Sequence, residues 1–326
     1  MMTVNVFRSR LEDLMPAVEL DFPPTPGFGP WSVLFSEKAL AFPAKANLHL
    51  LNFLIARYSE PGSIVVDPMA GTYSTCVMAA LMGRVGVGVE IEEEYYRWGL
   101  ETKERVERAG LLGERGEMVV MRGDARRLAE LLRHIRGHIA LILFSPPYGD
   151  TSLSGGDPSK RLERLVAAGY DPGDYIHGRA ANTVLRHYGM DRPSEGNIGR
   201  LPLGDPGLLE PEAKSLQHLY RRLLGNRGRP TYLSEMLLVY HNCHQVLRDG
   251  GRLAVIVKPY LKERRIVDIP HITRLLLERC GFALEAVYKL RLQGQSLWRY
   301  LHYRHEPDLP RIMHEYVLVC RKPVSS

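Results

Sequence analysis

The sequence predicts an α/β protein built on a doubly wound, mostly parallel sheet of seven strands. Between residues 63 and 144, short apolar runs alternate four times with stretches of helical periodicity, the pattern of consecutive βαβ units. The apolar runs are continuous, as expected for strands that are buried on both faces. Right-handed crossovers between them would bring the carboxyl ends of all four strands to one edge of the sheet.

The elements of the first half follow from periodicity and from helix-breaking residues. A helix over 46–58 carries leucines on one face and ends before Pro61-Gly62. Small residues favour a closely packed helix over 74–82, and a charged periodic stretch favours another over 92–107. The strands predicted in this half are 63–67, 85–90, 118–121 and 139–144.

The second half supplies the remaining three strands. A helix over 232–247 leads through an expected turn at Asp249–Gly251 into the first of them. A helix over 272–280 separates that strand from the last two. The three strands are predicted at 253–257, 283–290 and 314–320.

Composition divides the chain into an arm, an α/β domain in two parts, and an insertion. Residues 1–35 are rich in proline and predict an irregular arm. Residues 36–148 and 230–326 carry the α/β pattern. Between them, residues 149–229 lose periodicity and are rich in glycine, proline and arginine, which predicts an inserted target-recognition or lid region.

Charge and cysteine content narrow the class of protein. The net charge of +6 is compatible with a polyanionic partner without requiring one. The four cysteines form no C-x-x-C pair, and in the helical stretch Tyr240–His244 Cys243 turns away from His241, so we expect neither disulfides nor a metal site. No apolar run approaches the roughly 20 residues that cross a bilayer, and no signal peptide is recognisable. We therefore expect a soluble, cytoplasmic protein.

The tetrapeptide Ser145-Pro146-Pro147-Tyr148 directly follows the predicted strand 139–144. Two prolines remove two backbone donors and restrict φ, so the strand must end there in a rigid turn. Ligands of open α/β sheets bind beyond the carboxyl ends of the strands. A hydroxyl before this turn and an aromatic ring after it would suit a flat polar group, although turn chemistry alone is more typical of an ordinary loop.

Acidic residues end three of the predicted strands. Asp67, Glu90 and Asp124 close successive strands at the same sheet edge. An acid at the end of the second strand is well suited to accept hydrogen bonds from both ribose hydroxyls of a nucleoside. The turn at Gly71 lets the backbone approach a ligand closely, yet neither a G-x-G-x-x-G fingerprint nor a P-loop lysine is present. These features favour a nucleoside without a pyrophosphate.

Taken together, these segments resemble the S-adenosylmethionine-dependent amino-methyltransferases of nucleic acids, most closely the N4-cytosine branch of the DNA enzymes. Asp67–Thr75 (Asp-Pro-Met-Ala-Gly-Thr-Tyr-Ser-Thr) is similar to the family's D-P-F-x-G-S-G-T-T cofactor loop. Ser145–Tyr148 is similar to its catalytic S-P-P-Y, and Phe42–Lys45 to an H-P-A motif near the methionine end of the cofactor. The resemblance covers about 36–148 and 230–322 and implies a Rossmann-like methyltransferase sheet.

The resemblance also implies roles for individual residues. Glu90 would bind the ribose of S-adenosylmethionine, and Asp124 its adenine amino group. The other implied cofactor-binding residues are Pro43, Lys45, Asp67, Met69, Ala70, Gly71 and Thr72. The implied catalytic residues are Ser145, Pro146, Pro147 and Tyr148.

Three positions depart from the family pattern. Tyr73 stands where the family usually has glycine, so we expect a changed approach to the carboxylate end of the cofactor. Met69 replaces the common phenylalanine and Phe42 replaces histidine. None of these changes removes a charged contact, so cofactor binding is still expected.

The implied chemistry is direct methyl transfer to an exocyclic amine. Ser145 Oγ and the Pro146 carbonyl would accept the two N–H bonds of the cytosine amine and aim its lone pair at the methyl group. Tyr148 would stack on a base that has left its helix. Since no cysteine lies near this motif, methylation at carbon 5 is not favoured.

The substrate is open at this point. DNA cytosine is the first choice because serine opens the tetrapeptide, and a ribosomal or transfer RNA base is the close alternative. Arginines of the insertion suit phosphate contacts, and as candidates for nucleic-acid binding we take Arg179, Arg186, Arg221 and Arg222. A non-catalytic nucleic-acid-binding scaffold is less favoured because the catalytic and acidic motifs are all present.

Overall fold

A central sheet with helices on both faces forms the framework of the protein. The computed structural model describes residues 7–42, 45–149, 196–210, 212–262, 265–292 and 308–324. Within these residues, eight strands make one sheet in the order β1-β9-β10-β6-β5-β2-β3-β4. All pairings are parallel except those of β10 with β6 and β9. The predicted fold class, a doubly wound and mostly parallel α/β sheet, is thus confirmed.

The seven predicted strands lie within one residue of their predicted bounds, apart from the start of β6. The first five are β1 Val18–Leu20, β2 Ile64–Asp67, β3 Val85–Glu90, β4 Glu117–Arg122 and β5 Ile139–Phe144. The others in this sheet are β6 Leu247–Val257, β9 Ala283–Arg291 and β10 His314–Arg321. A separate antiparallel pair consists of β7 Tyr260–Lys262 and β8 Arg265–Val267.

Helices cover the sheet and connect its strands. Those of the first half are α1 Leu11–Leu14, α2 Glu37–Ala41, α3 Leu48–Tyr58, α4 Ser74–Leu81, α5 Glu93–Ala109 and α6 Leu128–Leu131. The second half has α7 Leu216–Leu223, α8 Tyr232–Val246 and α9 Ile269–Arg279. Among the described helices, none is long and apolar enough to span a membrane.

Alternate residues of the central strands enter two separate cores. Val66 and Ile142 belong to the core that includes α8 and α9, whereas Val65 and Leu141 belong to the core that includes α3 and α4. This alternation follows from the two-residue period of a strand. Because both faces are covered, the carboxyl ends of the strands are left as the edge where a ligand can enter.

Two expectations differ from the structure. The arm expected to be irregular contributes β1, which extends the predicted seven strands to eight by pairing with β9. The turn expected at Asp249–Gly251 is instead an irregular start of β6. Gly250 adopts a φ of 71° there, and its N–H donates to the Lys322 carbonyl next to β10, which holds the glycines in the sheet.

The described end of the insertion packs against the α/β domain. Ile198, Leu203, Leu209, Leu219 and Leu223 are buried in the same core as α8. Sequence periodicity did not reveal this packing, since short 3-10 segments and loops carry most of these residues. Residues 196–229 therefore form part of the domain's hydrophobic structure.

Candidate active site

A cavity of about 410 Å³ opens at the carboxyl ends of the central strands. Its volume lies in the range of sites that bind nucleoside-sized ligands. Predicted residues that line it are Lys45, Asp67, Met69, Ala70, Gly71, Thr72, Glu90, Asp124, Ser145, Pro146, Pro147 and Tyr148. The structure thus brings together residues that the sequence separates by about a hundred positions. Of the predicted cofactor-binding residues, Pro43 lies outside the described residues.

Asp67 ends β2 at the floor of the cavity and is almost completely buried. Its Oδ1 accepts the Met69 N–H at 3.0 Å, and the Thr75 side chain also hydrogen-bonds to the carboxylate. Burial outweighs these hydrogen bonds and raises the pKa of Asp67 to about 7, and the nearby Glu90 adds to the shift. A carboxylate held in this way favours a cationic ligand, which would offset its lost hydration.

Glu90 ends β3 and connects two turns at the cavity. Its Oε2 accepts the Gly71 N–H at 2.8 Å, and its Oε1 accepts the Glu92 N–H at 2.9 Å. Burial raises the pKa of Glu90 in spite of these backbone donors. The carboxylate lines the cavity, and carboxylate oxygens are acceptors that suit the hydroxyls of a ribose. Gly71 adopts a φ of 50°, so its turn favours glycine.

Tyr73 has a left-handed backbone conformation, which favours glycine. Its φ is 60°, in the left-handed region, yet its side chain is fully buried and does not line the cavity. The ring lies between Gly88 of β3 and Gly99 of α5. The expectation that Tyr73 changes the approach to the ligand is therefore wrong, because these two glycines leave space for the ring inside the core.

Replacing Gly99 by alanine is expected to lower the free energy of unfolding by about 2 kcal/mol. A Cβ at Gly99 would lie 2.4 Å from the Tyr73 ring, and this clash outweighs the higher helix propensity of alanine. Urea denaturation of the variant and the wild type measures the loss. In the Tyr73→Gly background the same change should be neutral or stabilising, and equal costs in both backgrounds would contradict this packing.

Asp124 lies at the cavity wall and is paired with Arg126. The Arg126 Nε donates to both carboxylate oxygens at 2.9 Å, and the Arg126 backbone N–H donates to Oδ1 at the same distance. Arg126 Nη1 also donates to the buried Glu235 at 2.7 Å, and these partners raise the pKa of Arg126. The guanidinium therefore fixes the orientation of the Asp124 carboxylate, and two positive N–H groups reduce its negative charge toward the cavity.

The tetrapeptide forms a turn that opens onto the cavity. The Ser145 side chain is exposed, Pro146 is buried, and Tyr148 is half-buried. Tyr148 Oη accepts the Lys258 N–H at 3.2 Å, and its ring lies 6.0 Å from the Tyr260 ring. The tyrosine is therefore held from two sides, which limits the rotation of its ring.

Lys45 and Phe42 also line the cavity. Lys45 Nζ donates to the carbonyl of Leu40 at 2.7 Å and to that of Phe42, and burial lowers the pKa of Lys45. Phe42 packs against Tyr95, with ring centroids 5.4 Å apart. The lysine thus stabilises the end of α2 while its side chain remains part of the wall.

Several lining residues were missed by the sequence analysis. Asn197 and Ile198 come from the described end of the insertion, and Asn197 Nδ2 donates to Glu92 Oε1 at 2.7 Å. Lys258, which directly follows β6, and Glu315 of β10 also line the cavity. No local pattern marks them, because their position depends on how distant segments pack. The only available signal was that Lys258 immediately follows a predicted strand end.

The predicted nucleic-acid-binding arginines lie away from the cavity lining or outside the described residues. Arg179 and Arg186 lie outside them. Arg221 is exposed on α7. Arg222 donates to the carbonyls of Leu208 at 2.9 Å and Glu212 at 3.4 Å, so its guanidinium stabilises a loop.

The cysteine of α8 packs in the core, and His241 of the same helix hydrogen-bonds to a neighbouring side chain. Cys243 is buried, and burial raises its pKa. His241 Nε2 shares a hydrogen bond of 2.9 Å with Gln245. Across the part of the chain that the structure describes, no group of three or more His, Cys, Asp and Glu side chains is arranged to hold a metal ion.

Comparisons with known proteins agree with the resemblance over the N-terminal half of the site. Residues 31–101 match a family model described as DNA methylase. YubD of Escherichia coli (strain K12), named provisionally as a methylase, is 40% identical over 21% of this chain and 30% of its own length. The DNA adenine methyltransferase YhdJ of the same strain is 45% identical over 16% of this chain and 17% of its own length. These matches support the DNA methyltransferase family for the segment that contains the cofactor loop.

Two further proteins are similar to this chain, one a tRNA methyltransferase by name and one a solved structure. The tRNA (guanine(10)-N2)-dimethyltransferase of Methanocaldococcus jannaschii is 31% identical over 37% of this chain and 33% of its own length. The crystal structure of TrmN from Thermus thermophilus is 17% identical, covers 87% of this chain and 51% of that chain, and has a TM-score of 0.42. The chain spans about a third or less of the length of the curated relatives it matches.

Proposed function

We propose that this protein is an S-adenosylmethionine-dependent methyltransferase that acts on the exocyclic amine of a nucleobase, with N4 of cytosine in DNA as the first candidate. The observation that carries the proposal is that the Ser145–Tyr148 turn and the acids Glu90 and Asp124 line one cavity. This combination provides an amine-binding turn facing a nucleoside-binding wall. The match of residues 31–101 to a DNA methylase model supports it.

The cavity residues fit the proposed cofactor. Glu90 offers carboxylate oxygens as acceptors for ribose hydroxyls, and Asp67 offers a buried carboxylate to a cationic ligand. Gly71 leaves space at the turn, because a Cβ there would meet no atom closer than 4.0 Å. When bound, S-adenosylmethionine supplies a methyl group on a positively charged sulfur.

The residues of the turn orient the amine of the target base. We infer that Ser145 Oγ and the Pro146 carbonyl oxygen accept its two N–H bonds, which directs the nitrogen lone pair toward the cofactor side of the cavity. Pro146 is buried and its ring restricts the backbone, so its carbonyl needs little reorganisation. Tyr148 provides the stacking surface, and Lys258 a positive charge at the target side.

The domain boundaries follow from this assignment. Residues 36–148 and 230–326 would carry the cofactor and the catalytic turn, and residues 149–229 would contact the nucleic acid around the target. The exposed Arg221 is a candidate for a phosphate contact. Arg222 contributes indirectly, by stabilising the loop before α7.

A tRNA or ribosomal RNA base amine is the second candidate substrate. It is favoured by the match to a tRNA methyltransferase, which extends over 37% of this chain, a longer stretch than either Escherichia coli relative covers. The serine that opens the tetrapeptide supports cytosine in either polymer. A flipped cytosine presents the same amine in DNA and in RNA.

Nucleoside analysis tests the proposal. The protein is incubated with radiolabelled S-adenosylmethionine and, separately, with unmethylated DNA, ribosomal RNA and transfer RNA, and the nucleosides are separated by mass spectrometry. We expect label in N4-methyldeoxycytidine from DNA, with a Ser145→Ala variant as the catalytic control. Label only in N6-methyladenine, or in no nucleoside, would contradict the cytosine assignment, and label only in RNA would favour the second candidate.

A further inference from the structure

The segment Gly196–Arg200, hereafter the return segment, bridges the two ends of the cavity. Asn197 Nδ2 donates to Glu92 Oε1 at 2.7 Å on the side of Glu90. On the side of the catalytic turn, a Cβ at Gly199 would lie 3.0 Å from Pro147 Cβ, so the two residues are in tight contact. The return segment therefore touches Glu92, which hydrogen-bonds to Glu90, and also the turn that binds the target amine.

The return segment is held by more than one anchor. Arg126 Nη2 donates to the Gly196 carbonyl at 3.3 Å, and the same guanidinium binds Asp124. Ile198 is buried in the core, with 5% of its surface exposed. A Cβ at Gly196 would lie 2.6 Å from Ile91 Cδ1, which shows how closely the backbone follows the turn after β3. These contacts define the wall of the cavity next to Glu90 and Asp124.

Asn197 makes the polar connection in this wall. Its Oδ1 accepts the Gly199 N–H at 2.9 Å and begins the short 3-10 turn Ile198–Arg200, while its Nδ2 binds Glu92. Glu92 in turn donates its backbone N–H to Glu90. A continuous series of hydrogen bonds therefore runs from the ribose-binding acid through Glu92 to the return segment, and a change at either end alters the other.

We propose that Asn197 is a positioning residue that makes the return segment part of the cofactor site and couples cofactor binding to target binding. The inference rests on the proposed function, since it takes the Glu90 side of the cavity as the nucleoside end. Cofactor contacts with Glu90 order the return segment through Glu92 and Asn197, and the ordered segment supports Pro147 against the target. By linkage, nucleic acid tightens cofactor binding by the same factor as cofactor tightens nucleic-acid binding.

Calorimetric titration with S-adenosylhomocysteine, with and without unmethylated duplex DNA and RNA, measures this coupling. Asn197→Ala is expected to weaken cofactor binding about tenfold, because it removes a hydrogen bond to a charged group, and to reduce the coupling factor toward one. The matched control is Asn242→Ala, since Asn242 also makes two hydrogen bonds, to the Ala129 N–H and the Leu238 carbonyl, and does not line the cavity. The control should bind the cofactor like the wild type and keep the coupling.

A double variant separates positioning from simple loss of stability. Asn197→Asp alone brings two carboxylates together and should weaken cofactor binding more than Asn197→Ala. In the double variant with Glu92→Gln, the side chain at 92 becomes the donor and the one at 197 the acceptor, and the Gly199 N–H keeps its acceptor. We expect cofactor affinity within about threefold of the wild type. Recovery of both the cofactor affinity and the coupling factor in the double variant supports positioning. If the losses in Asn197→Asp came only from lower stability, the second substitution would not restore these two quantities.

The outcomes distinguish the inference from the proposed function. If the wild type binds neither S-adenosylmethionine nor S-adenosylhomocysteine, the proposed function fails and the inference with it. If the wild type binds the cofactor but Asn197→Ala and Asn242→Ala behave alike, or the double variant is no better than Asn197→Asp, only the inference is overturned. Thermal melting of each variant confirms that the protein titrated is folded.

Discussion

Replacing Tyr148 by alanine is expected to lower kcat/KM for nucleic acid ten- to a hundredfold while cofactor affinity stays within twofold of the wild type. Stacking of a base on an aromatic ring contributes about 1–3 kcal/mol, and alanine removes it completely. The ring belongs to the catalytic turn, where its hydroxyl accepts the Lys258 N–H and its face lies near Tyr260, whereas the proposed cofactor contacts come from Glu90, Asp124 and Asp67. The effect should therefore fall on target binding and turnover.

Tyr148→Phe is the matched control for this prediction. Phenylalanine keeps the stacking surface and loses only the hydroxyl that accepts the Lys258 N–H at 3.2 Å. We expect a loss of less than tenfold in kcat/KM, since a long hydrogen bond of this kind contributes about 1 kcal/mol. Steady-state methylation assays and calorimetry on the same preparations give both quantities. Equal losses of cofactor affinity and kcat/KM in Tyr148→Ala would contradict the assignment of Tyr148 to the target side.

Replacing Asp67 by asparagine is expected to weaken cofactor binding about a hundredfold at pH 8 and, without cofactor, to stabilise the protein. The buried carboxylate pays a desolvation cost that a cationic ligand relieves, so the charge favours binding and opposes folding. Asparagine keeps an acceptor for the Met69 N–H and a group of similar size. Calorimetry measures the first effect and urea denaturation the second.

The stability effect depends on pH in a defined direction. Burial raises the pKa of Asp67 from 3.8 to about 7, so between these values the folded protein holds a proton that the unfolded chain has released. Unfolding free energy therefore falls as the pH rises through this window, and the full cost of up to about 4 kcal/mol is present only above pH 7. Asp67→Asn should be more stable than the wild type at pH 8 by up to this amount, and nearly equal to it at pH 4.

Cofactor affinity should follow the opposite trend in the wild type. If only the ionised carboxylate binds the cation, affinity falls about tenfold for each pH unit below 7. The Asp67→Asn variant lacks this group and should show a much flatter profile, with any remaining slope due to Glu90, whose pKa is also raised by burial. A wild-type profile as flat as that of the variant would show that Asp67 does not bind the cofactor as an anion.

Much of the fold is readable from local pattern. Val85–Glu90 is recognised as a strand to the residue, because a continuous apolar run with internal glycines is bounded by charged residues on both sides. The helix Leu48–Tyr58 begins two residues after the predicted start and is capped by Asn47, whose side chain accepts two backbone N–H bonds. Asx caps and proline turns act over three or four residues, so their effect is visible in the sequence.

The edge strand β1 and the first residues of β6 could not be predicted from local sequence pattern. Val18–Leu20 is only three residues long and carries no period that separates it from a loop. It becomes a strand because β9 presents an open edge for it to pair with. The glycines after Asp249 form a turn in most contexts, and here pairing with Lys322 keeps them in the sheet.

By itself the sequence determined that Asp67, Glu90, Asp124 and the Ser145–Tyr148 turn meet at one edge of a parallel sheet, because strand ends and crossover handedness follow from local periodicity. Only the tertiary structure decided that Tyr73 points into the core between two glycines, that Arg126 holds Asp124, and that Asn197 and Lys258 complete the cavity. These contacts join residues that are distant in sequence or depend on the direction of a side chain. Such contacts are set by packing and register, and packing leaves no periodic mark along the chain.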